Sequence, residues 1–125
     1  MTWAFIAAIL MALGVALGAF GAHVLKDRFD AYSMGIWEKA VFYHFVHALG
    51  MLIVAALTRA AALSESAGAS VSALLLAGIV LFSGSLYTLA LSGLKVLGAV
   101  TPFGGVAFIA AWLMLAYHLL KASPK

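Results

Sequence analysis

Cysteine is absent from the 125 residues, which removes disulfides, thiolate metal sites and thiol nucleophiles from the candidate chemistries. Charge is almost as scarce. Asp, Glu, Lys and Arg make up 9% of the chain, against roughly 25% in an ordinary soluble domain. So few charges cannot coat a globule in water. The seven Lys/Arg and four Asp/Glu leave a formal charge of +3, but the basic residues are scattered from Lys26 to Lys125. No run of them could track a phosphate backbone, so nucleic acid is excluded as a partner. No G-x-S-x-G elbow occurs, and no carboxylate lies at a depth where it could complete a serine–histidine pair.

Hydrocarbon fills the chain instead. Apolar residues make up 66% of it, and the mean hydropathy is +1.17. About 20 apolar residues suffice to cross a bilayer core. Residues 2–25 carry no Asp, Glu, Lys or Arg. That run is too long for a signal peptide and lacks the basic residues that precede one. Further stretches at about 40–58, 70–94 and 98–120 complete four spans and leave no room for a soluble catalytic domain. The predicted fold is an all-α integral membrane protein, a single four-helix transmembrane domain over 1–125.

The connections differ in character. The SESAGAS stretch within residues 59–69 reads as a flexible linker. Residues 26–39 place Phe29, Tyr32, Ile36 and Ala40 at i+3/i+4 spacing opposite Asp27, Asp30, Met34 and Glu38. This pattern predicts a short interfacial helix between the first and second spans, with Trp37 as its anchor at headgroup level. Thr101 and Pro102 read as the N-cap and first-turn proline of the last helix. Arg59, Lys121 and Lys125 fall on one side of the membrane and Lys26, Arg28, Lys39 and Lys95 on the other. Lys39 sits partly within the second span, and Lys26 and Arg28 are held in the interfacial segment, so the balance favours cytoplasmic termini.

The polar residues collect in one half of the membrane. His23 closes the first span, Tyr43, His44 and His47 open the second, Ser83, Ser85, Tyr87, Thr88 and Ser92 occupy the closing half of the third, and Thr101 opens the fourth. In the second span Tyr43 and His47 are i,i+4 and share a face. If the last helix begins at Pro102, the N–H groups of Phe103, Gly104 and Gly105 direct a positive dipole end at the same layer, which favours a carboxylate or headgroup phosphate. The candidate ligand-binding set is therefore His23, Tyr43, His47, Ser83, Ser85, Tyr87, Thr101, Gly104 and Gly105. His44 and His118, at interface positions, read as structural. Gly14 and Gly18 form G-x-x-x-G with Gly21 near the same face, a helix-packing set. The His, Asp and Glu inventory does not converge on a metal site, and paired axial histidines for a haem are a minor alternative. No cofactor, metal or catalytic residue is assigned.

One resemblance covers nearly the whole chain. Leu17-Gly-Ala-Phe-Gly-Ala-His23, then Trp37, Tyr43 and His47, then Phe82-Ser-Gly-Ser-Leu-Tyr87, then Thr101-Pro102 with Gly104-Gly105 and Trp112, resemble in order and spacing the motifs of the domain of unknown function 423 family. Ala111 departs from the pattern, since family members often carry Gly before that Trp. The resemblance implies a small multi-pass protein of the bacterial inner membrane and carries no known activity with it. The functional expectation is a non-enzymatic accessory, scaffold or lipid- or anion-binding component, with membrane lipids, a second copy or a larger membrane complex as partners. The alternative is a small transporter or proton-coupled channel using His23, His47 and Tyr87.

Overall fold

A computed structural model describes residues 1–122, so Lys125, which entered the charge balance, lies outside the described residues. Four helices are long and apolar enough to cross a membrane. They are α1 (Thr2–His23), α2 (Ala31–Arg59), α3 (Glu65–Ser92) and α4 (Thr101–Ala122). The described residues contain no strand. The all-α, four-span architecture expected from hydropathy is therefore the observed one.

The helices form a sequence of neighbours in which α1 packs on α2, α2 on α3, and α3 on α4. The two inner helices supply most of the core. Met51 and Val54 of α2 meet Leu75 and Ile79 of α3, with Ala7 from α1 and Phe108 and Ala111 from α4 closing the sides. The outer helices turn Phe5, Ile9 and Leu13 of α1, and Val106, Ile109 and Leu113 of α4, outward. Apolar side chains on that outer surface suit lipid tails as solvent.

The interfacial segment is helical but is not a separate helix. A single 3-10 turn, Leu25–Asp27, follows α1, and α2 then runs unbroken from Ala31. Asp30 caps it by accepting from the backbone N–H of Ser33 at 2.7 Å. The 29 residues of α2 extend about 43 Å, more than the roughly 30 Å hydrocarbon core, so its first turns stand at the interface while the same rod continues inward. Glu38 and Lys39 interrupt the hydropathy without interrupting the helix, because both are good helix formers and both are exposed. Trp37 is also corrected. Its ring faces the bundle instead of the lipid: it is 2% exposed, enclosed by Phe20, Phe29 and Tyr87, and its indole N–H donates to the Leu17 carbonyl at 2.9 Å. A large ring with a satisfied N–H is better placed between helices than at their edge.

A six-residue π-helical segment, Ile79–Gly84, interrupts α3. Such wide turns change which residues face a neighbour, since the spacing on either side no longer follows 3.6 residues per turn. Gly93, at φ 72, ends α3 in a left-handed conformation that suits glycine. A 3-10 turn, Lys95–Ala99, leads into α4. Thr101 is the first residue of that helix rather than a cap on its N–H groups, because its hydroxyl is engaged by Ser85.

Candidate functional site

The buried polar side chains of the inner helices, Ser72 apart, end on protein groups, and the most connected of them is His44. It lies 13 residues into α2, about 20 Å from the helix start, and is 1% exposed. Its Nε2 is 2.7 Å from the Leu10 carbonyl of α1, and its Nδ1 is 2.9 Å from the Tyr87 hydroxyl of α3. A carbonyl can only accept, so Nε2 carries a proton, and Nδ1 of the neutral ring accepts from the Tyr87 O–H. One imidazole thus joins three helices. The Tyr87 ring also packs on Trp37 with centroids 4.8 Å apart, which extends the cluster to the Leu17 carbonyl.

A second group surrounds His47. Its Nδ1 donates to the carbonyl of Tyr43 one turn earlier, at 2.7 Å, and its ring stacks on Phe108 of α4 with centroids 3.5 Å apart and planes inclined by 11°. Tyr43 packs on Phe82 at 4.3 Å. The imidazole is therefore part of an aromatic stack between α2, α3 and α4, one turn of α2 beyond the bond between His44 and Tyr87. Two shorter links lie nearby. Ser83 donates to the Ala40 carbonyl at 2.7 Å, and Ser85 and Thr101 share a 2.7 Å bond between their hydroxyls.

Among the residues singled out by sequence, Tyr43, His47, Ser83, Ser85, Tyr87, Thr101 and Gly104 all lie at contacts between α2, α3 and α4. They fall into local groups: Tyr43 with His47 in the aromatic stack, Ser85 with Thr101, Ser83 on the Ala40 carbonyl, Tyr87 on His44, and Gly104 against Phe82. Gly104 is buried against the backbone N and Cβ of Phe82, so a neighbouring helix occupies the space beside its Cα. Gly105 is half-buried, with Phe82 Cδ2 4.0 Å from where a Cβ would stand. His23 is exposed at the end of α1 and stands apart from the group. Thr88 and Ser92 face outward and bond back to the carbonyls of Gly84 and Thr88, as hydroxyls in spanning helices commonly do. Gly14, Gly18 and Gly21 face α2, where they admit Phe45, Val41 and Trp37.

Two residues escaped the sequence reading. A span beginning at 40 puts His44 at the interface, whereas α2 begins at Ala31 and His44 is buried among three helices. Its partner Tyr87 stands 43 residues away on another helix, and its other partner is a backbone carbonyl, which no residue type announces. Ser72 was counted within an apolar run. It is 1% exposed, and its hydroxyl has no hydrogen-bond partner among the described residues. No three His, Asp or Glu side chains converge as a metal-binding group among the described residues.

The fold and its buried contacts define a small polytopic helical membrane protein whose inner helices are joined by satisfied polar groups. The profile of the family described as "Protein of unknown function (DUF423)" matches residues 17–105, and the chain belongs to that family. It is 46% identical over 115 residues to the UPF0382 membrane protein YwdK of Bacillus subtilis, covering 91% of this chain and 92% of that one. It is 42% identical over 114 residues to a UPF0382 membrane protein of Staphylococcus haemolyticus, covering 91% of each. A UPF0382 membrane protein of Staphylococcus epidermidis is 46% identical over 112 residues, covering 90% of this chain and 88% of that one. No solved structure matches it. The protein is thus a multi-pass bacterial membrane protein of a family whose activity is unknown.

Proposed function

We propose that this protein is a non-enzymatic membrane component, an accessory or scaffold protein, whose polar layer fixes the register of its helices. The bond set of His44 carries the reading. Both ring nitrogens are occupied, one by Leu10 of α1 and one by Tyr87 of α3, so neither is left to a substrate. Ser83, Ser85 and the Trp37 indole are engaged in the same way. Polar groups in a membrane interior must find such partners, and a layer of satisfied pairs holds helices in one arrangement. Membrane lipids are the partners of the outward faces of α1 and α4.

Ionisable residues deep in a membrane are also the usual material of proton pathways, which makes flux the discriminating measurement. Protein reconstituted in liposomes under an imposed pH gradient is expected to dissipate it no faster than empty liposomes. Dissipation that depends on the protein and is lost in His44→Phe or His47→Ala would overturn the scaffold reading in favour of a proton-coupled one.

A further inference from the structure

At the end of the bundle remote from His23, a cleft of about 350 Å³ opens between the start of α1, the end of α2 and the start of α3. Arg59 and Glu65 line it, and both are exposed. Neither closes an ion pair among the described residues; the side chain of Arg59 reaches only Met1 Sδ, at 3.2 Å. Apolar side chains complete the lining, with Trp3 and Ala56 near the mouth and Leu52, two turns of α2 before Arg59, about 10 Å in. Ser72 also lines the cleft, two turns of α3 beyond Glu65, about 10 Å along the helix. Its buried hydroxyl has no partner, whereas neighbouring Thr58 satisfies its own on the Val54 carbonyl at 2.9 Å. A buried hydroxyl without a bond costs free energy, so an acceptor supplied from outside the chain would be bound there.

We propose that this cleft holds the headgroup and ester region of one diacyl phospholipid with a primary-ammonium headgroup. The phosphate sits on Arg59, the ammonium donates to Glu65, an ester carbonyl accepts from Ser72, and the acyl chains leave past Leu52 toward the bilayer. Opposite charges stand at the mouth of the cleft and the one unpaired donor lies about 10 Å deeper, level with Leu52, as a headgroup and its ester require. A carboxylate at the rim opposes a lipid of net negative charge, and a quaternary ammonium has no N–H to donate to it. The site lies at the opposite end of the bundle from the His23 surface and is independent of the scaffold reading.

Native mass spectrometry of the detergent-purified full chain, offered phosphatidylethanolamine, phosphatidylglycerol and phosphatidylcholine in equal amounts, tests the assignment. The ethanolamine lipid is expected to be retained preferentially. Arg59→Gln is expected to lower its retention roughly two- to fivefold, the range of an exposed charge contact. Glu65→Gln is expected to remove the preference over phosphatidylglycerol. Ser72→Ala is expected to erase a preference for diacyl over dialkyl-ether phosphatidylethanolamine, because the ether lacks the carbonyl. Equal retention of all three lipids by the wild type would overturn the proposal. So would unchanged retention in the Arg59→Gln/Glu65→Gln double variant, or displacement by chainless glycerophosphoethanolamine at equal concentration. None of these outcomes bears on proton flux, so the two readings fail separately.

Discussion

The Tyr87 hydroxyl lies 2.9 Å from His44 Nδ1, and the other nitrogen of the same ring is 2.7 Å from the Leu10 carbonyl. The second contact fixes the direction of the first, since an Nε2 that must donate leaves Nδ1 to accept. Tyr87→Phe therefore removes the donor and leaves a buried acceptor unpaired, while preserving the ring that packs on Trp37. The expected loss is roughly 1 kcal/mol of unfolding free energy. A double-mutant cycle of Tyr87→Phe with His44→Phe, followed by SDS-induced unfolding in mixed micelles, is expected to give a coupling of about 0.6–1.7 kcal/mol. Additive losses would show that the two side chains do not act as a pair.

Gly104 and Gly105 are adjacent in sequence and differ in what a methyl group would meet. At Gly104 a Cβ collides with the backbone N and Cβ of Phe82, and backbone cannot swing aside. At Gly105 the nearest atom stands 4.0 Å away, an ordinary contact. Gly104→Ala is expected to cost about 1–3 kcal/mol by forcing α4 from α3, as overpacking does. Gly105→Ala is expected to stay within about 0.5 kcal/mol of the parent. Thermal unfolding of both variants in one detergent separates them, and equal melting temperatures would contradict the observed closeness of α3 and α4.

Hydropathy made the spans legible because run length reports the bilayer directly, and the boundaries of α1 and α4 fall close to those read from the sequence. It failed at the start of α2, where Glu38 and Lys39 lower hydropathy but suit a helix. The polar layer was legible as a set of depths, yet its pairings were not. Depth placed Ser83, Ser85 and Tyr87 in one half of the membrane, but the π-helical segment at Ile79–Gly84 changes the face each presents. Ser85, Thr88 and Ser92 follow one another at regular α-helical spacing, yet only Ser85 is covered, by Thr101 of α4, while the other two are exposed. The Leu10, Leu17 and Ala40 carbonyls that complete the network belong to the backbone and leave no mark in composition.

Asp30 offers a pH test at the membrane surface. The Ser33 backbone N–H, with the Ser33 side chain as a second contributor, holds its carboxyl below the ordinary aspartate value. A pKa lowered in the folded state means that the stabilisation is present above the unfolded value and is lost as pH falls through the folded one. Asp30→Ala is therefore expected to lower the melting temperature at neutral pH. That difference from wild type is expected to shrink in acid, below the carboxylate range. Asp30→Asn keeps an acceptor for the same N–H and is expected to lose less than Asp30→Ala at neutral pH while showing a weaker pH dependence. A constant gap between wild type and Asp30→Ala across the acid range would remove the carboxylate from the cap.

Trp37 separates the contribution of a hydrogen bond from that of packing. Its indole donates to the Leu17 carbonyl at 2.9 Å, and its ring fills the space between Phe20, Phe29 and Tyr87. Gly21 makes that placement feasible, since a Cβ there would meet the indole nitrogen at 2.5 Å. Trp37→Phe deletes the donor and part of the ring, whereas Gly21→Ala keeps both and pushes on them. If the N–H bond and the close approach belong to one packing arrangement, both variants loosen α1 from α2. Gly21→Ala is then expected to cost about 1–3 kcal/mol although no polar group is lost. Cysteines introduced at facing positions of the two helices, in a chain that has none of its own, report the separation by crosslinking yield. Both variants are expected to lower that yield, and an undiminished yield in Gly21→Ala would mean that α1 does not depend on Trp37 for its position.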